Sequence, residues 1–162
     1  MPSDLALNLR NLSREYYDLM DNRSAYVNKL QGELRMVFPQ YLKIFSKITT
    51  NTSLTLLEKY TSPEAFLNAT KDEIIDSILS TARFGLKYAE AKYNAIIQAA
   101  NDASTFGYSV SSNFKRIRLY IRLIRNYDDE ISSILSDMHK LVDANETTDF
   151  VKQIHLIESY KG

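Results

Sequence analysis

The stretch Ser111-Ser112-Asn113-Phe114-Lys115-Arg116-Ile117-Arg118-Leu119-Tyr120-Ile121-Arg122-Leu123-Ile124-Arg125-Asn126-Tyr127-Asp128-Asp129-Glu130, running on through Ile131, Leu135 and Met138 to Val142, decides the fold. Phe114, Ile117, Ile121, Ile124, Asp128, Ile131, Leu135, Met138 and Val142 follow one another at steps of three and four throughout. That is the seam of a heptad helix, and Asp128 is its one polar member. A second seam opens the chain at Leu5, Leu9, Leu12, Tyr16, Leu19, Tyr26, Leu30 and Val37, with Arg23 and Glu33 filling the two steps left between. Pro39 predicts its end near Val37, because the residue before proline avoids the helical region. Two long seams are buried most simply by antiparallel pairing.

Between them lie short helices. Gln40 to Ile48 reads as an amphipathic piece, Thr49 to Thr52 as a polar loop, and Ser53 to Tyr60 as a helix that buries Leu54, Leu56 and Leu57. Ser62-Pro63 is a helix start with a serine cap and proline in the first turn. Thr70-Lys71-Asp72-Glu73 fits a capping box. It opens a helix with Ile74, Ile75, Ile78 and Leu79 inward, ending near Gly85 as a left-handed cap. A further helix runs from about Leu86 to Ala103 with Tyr93, Ile96, Ile97 and Ala100 inward, and Gly107 closes this section. After Asp143-Ala144-Asn145, Thr148 or Asp149 caps a final helix, Phe150 to Tyr160. The fold class is therefore all-α: two long heptad-patterned helices flanking a bundle of short ones. The segments are 1–38, 39–107, 108–145 and 146–162.

Composition narrows the function. With 162 residues the chain can bury roughly 70% of its unfolded surface in one domain. There is no cysteine, which excludes disulfides, thiolate metal sites and cysteine nucleophiles. No apolar run approaches the roughly 20 residues of a membrane helix. Met-Pro-Ser-Asp lacks the basic and apolar regions of a signal peptide, so a cytoplasmic protein is expected. The two histidines, His139 and His155, have no helical partner histidine for a metal. Asp128-Asp129-Glu130 point about 100° apart on a helix and cannot all face one ion. Phosphate-loop and nucleophile-elbow motifs are absent, so an independent enzyme is disfavoured, and no cofactor or small-molecule substrate is expected.

The balance of 20 basic and 20 acidic residues hides a stripe. Lys115, Arg118, Arg122 and Arg125 share one helix face, with Arg116 at its side, over roughly 15 Å. Arg125 has acids at Asp128 and Asp129 within reach. The others have none at helical spacing, and they stand where the helix dipole disfavours cations. This arrangement suits phosphate contacts; a solvated face, or pairing with acids on another helix, explains it equally simply. The first helix carries a sparser set, Arg10, Arg14, Arg23 and Lys29. In an antiparallel pair Arg23 and Asp128, each the odd residue of its seam, could meet and fix register. Around Gly85, backbone N–H groups with Arg83 and Lys87 could hold a phosphate, though ordinary capping is the simpler reading.

Arg10-Asn11-Leu12-Ser13-Arg14, then Leu19, Arg23 and Asn28-Lys29-Leu30, then Phe38-Pro39, lead to Leu56-Leu57-Glu58-Lys59-Tyr60-Thr61-Ser62-Pro63-Glu64-Ala65-Phe66-Leu67. In that order and spacing they resemble the middle, coiled-coil segment of the DEDD-type insertion-sequence transposases. This is the family of bridge-RNA-guided recombinases related to the Piv DNA invertases. The tail Ile154 to Gly162 looks like the start of that family's next hairpin, with Tyr160-Lys161 in place of Ile-Pro. The resemblance implies a fragment of a mobile-element recombinase from a bacterium or archaeon. A RuvC-like domain with its magnesium-binding acids would precede it, and a serine transposase domain would follow. For this segment it implies a helical connector that associates with itself and helps to hold guide RNA and DNA, without catalysis of its own. The alternative is a stand-alone helical protein–protein interaction module.

Overall fold

A computed structural model describes residues 3–106 and 111–145, with only the backbone for 104–106. The proposed Gly107 break, His155, the Phe150–Tyr160 helix with its cap, and the 146–162 segment lie outside the described residues.

Every element among the described residues is helical. α1 spans Asp4–Val37, and a short 3-10 helix follows at Pro39–Lys43. Then come α2 (Asn51–Lys59), α3 (Pro63–Asn68), α4 (Lys71–Thr81), α5 (Leu86–Phe106) and α6 (Ser111–Ala144). No helix is long and apolar enough to cross a membrane.

Local chemistry sets most of the boundaries. Ser62 Oγ accepts the Ala65 N–H at 3.1 Å and Pro63 supplies the first turn of α3. At α4, Thr70 Oγ1 accepts from Glu73 N at 3.2 Å while Glu73 Oε2 accepts from Thr70 N at 3.0 Å. Both members of the capping box are therefore in place.

Other boundaries depart from the sequence reading. Thr50 caps α2 by accepting from Ser53 N, so the helix starts at Asn51 and the polar loop is shorter. The amphipathic piece Gln40 to Ile48 takes the form of a 3-10 turn and irregular chain; Pro39 starts the turn, and Tyr41, Ile44, Phe45 and Ile48 are buried from it. α4 stops at Thr81, where Ala82 is extended, and no glycine among the described residues has a positive φ. Gly85 is thus not a left-handed cap. Its carbonyl instead accepts from Ala89 N at the start of α5. Leu79 is 38% exposed, because α4 buries the narrower face of Ile74, Ile75 and Ile78.

The chain divides into two compact units: 1–24 with 125–162, and 25–124. The division falls inside both long helices and so differs from the four segments read along the sequence. In the second unit, α1 from Leu30 to Val37 and α6 from Ile117 to Ile124 join the short helices around one apolar core. α5 packs on α3, α4 and the 3-10 helix, and α2 packs on α4. Phe66 is fully buried at the centre, with its ring centroid 6.0 Å from Phe38, 6.1 Å from Tyr41 and 5.2 Å from Tyr60. The Tyr41 hydroxyl donates to the Ser53 carbonyl at 2.9 Å, giving a buried polar atom its partner. Burial pushes the Tyr41 phenol up, outweighing its hydrogen bond with Ser53. Leu34, outside the strict heptad, is fully buried because this unit supplies a third layer for a wider apolar face.

Among the described residues of the first unit, α1 and α6 pack on each other. Leu9 and Val142 are buried together, with Leu5, Met138 and Leu141 packed against them. Arg23 Nε donates to Asp128 Oδ1 at 2.6 Å. Leu9 lies two heptads before Arg23, and Val142 two heptads after Asp128. Equal separations in opposite directions are the signature of antiparallel pairing in heptad register.

Candidate nucleic-acid interface

From Ser111 to Tyr127, α6 carries five basic residues and no acid. The apolar seam turns Ile117, Ile121 and Ile124 into the core, and Lys115, Arg116, Arg118 and Arg122 are left exposed. The fold brings the five to different ends.

Arg116 is taken by an acid. Glu33, the polar residue in the α1 seam, accepts from Arg116 Nε at 2.6 Å and from the buried Asn113 Nδ2 at 2.9 Å. Burial alone would raise the Glu33 carboxyl. The hydrogen bonds from Arg116 and Asn113, with the charge of Arg116, outweigh it and hold the group below its ordinary value. The same contact raises Arg116.

Arg118 is held but not neutralised. Its Nε donates to Thr61 Oγ1 at 2.8 Å, and Thr61, only 2% exposed, donates onward to the Leu57 carbonyl at 2.9 Å. The sequence gives no hint of this contact, which joins residues 57 positions apart. Among the described residues, no acid lies within ion-pair distance of Lys115, Arg118 or Arg122. These three therefore form an open cationic row on one helix face in the 25–124 unit.

Arg125 is half-buried and belongs to the other unit, as do Arg10 and Arg14, which are exposed on α1. Lys29 lies over the Tyr26 ring, 4.8 Å from its centroid, where its charge meets the negative ring face. Arg23 is engaged by Asp128. Arg83 and Lys87 are exposed around Gly85, beside the exposed Phe84 and Leu86. Among the described residues, no group of three or more histidine or acidic side chains is arranged to hold a metal ion.

No protein-family model, curated protein or solved structure matches the chain.

Proposed function

We propose that this chain is a helical connector of a bacterial or archaeal insertion-sequence transposase, working in the cytoplasm. It would associate with a second copy and contribute to holding guide RNA and DNA, without catalysis of its own. Magnesium would serve the RuvC-like domain of such a protein and not this segment. The observation that carries the reading is the acid-free first half of α6, with Lys115, Arg118 and Arg122 exposed and, among the described residues, no acid within ion-pair distance of them. Like charges at helical spacing repel one another, so a solvated face has little reason to concentrate them. A phosphate backbone does supply one. The motifs from Arg10 to Leu67 support the choice of family, since they follow its order and spacing. Self-association is supported by the two-helix unit, which leaves Leu7, Tyr17, Met20 and Leu135 exposed.

Retention on single-stranded RNA and on DNA at low salt tests the reading. Three phosphate contacts predict a log–log salt slope of about −2 to −3. Binding should fall sharply when Arg118 and Arg122 are both changed to Ala. Absence of salt-dependent binding by the unaltered chain would leave a protein-interaction module as the better account. A sizing measurement that returns a monomer at high concentration would remove self-association from the proposal.

A further inference from the structure

A cavity of about 490 Å³ opens beside the basic row, between the α2–α3 turn and the start of α6. Thr61 and Ser62 form one wall, and Ser111, Phe114, Lys115 and Arg118 the other. All of these residues belong to the 25–124 unit. The volume falls within the about 300–1,000 Å³ typical of small-ligand sites, and no acidic residue among the described ones lines it.

We propose that this groove seats one phosphate of a nucleic-acid backbone, with Arg118 as its fork and Lys115 and Ser62 as further donors. The inference rests on the nucleic-acid reading above and adds a defined point of contact to it.

Three features make the groove more than a charged surface. The first is the anchor. A guanidinium has five N–H donors, and Thr61 engages only Nε. Holding Nε fixes the plane of the group and leaves both terminal nitrogens for a bidentate contact, the geometry that suits a phosphate. Thr61 is itself fixed by donating to the Leu57 carbonyl, so the orientation is set before any ligand arrives. The second is Ser62. Its oxygen accepts the capping bond from Ala65 N, and its hydroxyl hydrogen remains to be donated. The third is the surrounding field. Lys115 stands one turn before Arg118, and the first turn of α6 carries no acid to oppose the dipole of its N-terminus. A phosphate fills only part of the space. Phe114, half-buried in the wall, offers an apolar surface to the adjoining sugar or base.

The test is binding of a fluorescent single-stranded oligonucleotide to the whole chain, followed by anisotropy across a salt series. Arg118→Lys keeps the charge and loses the fork, so affinity should fall about five- to tenfold with an unchanged salt slope. Thr61→Val removes the anchor and no charge, and should produce a loss of the same kind, with a thermal melt confirming the fold. Inorganic phosphate should displace the oligonucleotide from the unaltered chain better than chloride at equal ionic strength, and should lose that advantage in Arg118→Lys. Arg122→Ala lies outside the groove and should lower the salt slope by about one contact, 0.7 to 0.9. If Arg122→Ala weakens binding while Arg118→Lys binds as the unaltered chain does, the groove is wrong and the basic-face reading stands. Phosphate acting no better than chloride would likewise overturn the groove. If the unaltered chain does not bind, both fail together.

Discussion

The same heptad grammar runs through both compact units, yet they bury it differently. In the 25–124 unit the seams of α1 and α6 meet a third layer of short helices, and Leu30, Ile117, Ile121 and Ile124 are each 0% exposed. In the unit formed by 1–24 and 125–162, the same two helices, among the described residues, pack on each other. Leu12, Tyr16 and Leu19 are half-buried there and Leu135 is 39% exposed. A heptad pattern specifies which side chains face a partner. How dry they become depends on how many layers surround them. Each unit ties α1 to α6 with an ion pair, Arg23–Asp128 in the first and Glu33–Arg116 in the second, so the difference between them lies in the apolar layers.

The largest expected effect would break this contrast if it failed. Phe66→Ala should cost about 3–5 kcal/mol in chemical denaturation, as full truncation of a buried aromatic does. Leu9→Ala should lie near the lower end of the leucine range, about 2 kcal/mol, because the site is open enough to collapse. Equal losses would mean that the two-helix unit is as tightly packed as the bundle. Tyr41→Phe comes next. It leaves the Ser53 carbonyl without that donor and should cost about 1–3 kcal/mol in the same measurement.

Thr70→Ala removes one half of the capping box and should cost about 1 kcal/mol, with helicity lost around α4. Glu33 gives a prediction in pH. Its folded value lies below its unfolded one, so its contribution is fully present above the ordinary carboxylate range. It is lost as pH falls through the folded value. Melts of Glu33→Gln should therefore decline less steeply on acidification than those of the unaltered chain. Smallest is the Arg23–Asp128 pair, whose side chains are 24% and 45% exposed. Arg23→Asp or Asp128→Arg alone should cost about 0.2–1 kcal/mol, and the double exchange should recover it. Additive losses would show that the pair contributes nothing to register.

Much of the architecture was legible because its causes are local. Ser62-Pro63 and Thr70 to Glu73 are recognised by chemistry contained within four residues. The helix ends at Val37 and the seams that follow a strict three-four step were readable for the same reason. The misreadings concern choices made elsewhere in the fold. Thr50 captured the start of α2 at Asn51, two residues before Ser53, and Gly85 was free to take any backbone conformation. Leu34 was drawn inward by a layer the heptad rule does not anticipate. The site shows the same division. A row of cations at helical spacing is visible in one dimension. Which of them is neutralised is decided by contacts such as Glu33–Arg116, 83 residues apart, and Thr61–Arg118. Spacing along one helix carries no information about those partners.

The acid-free half of α6 has a consequence for the protein's response to its solvent. Lys115 with Arg118, and Arg118 with Arg122, are like charges at neighbouring helical positions, each pair opposing the helix by about 0.2–0.5 kcal/mol. Added electrolyte screens exposed repulsion. This part of the helix should therefore fray less as ionic strength rises, and less still beside a polyanion, which would act on it as a folding ligand.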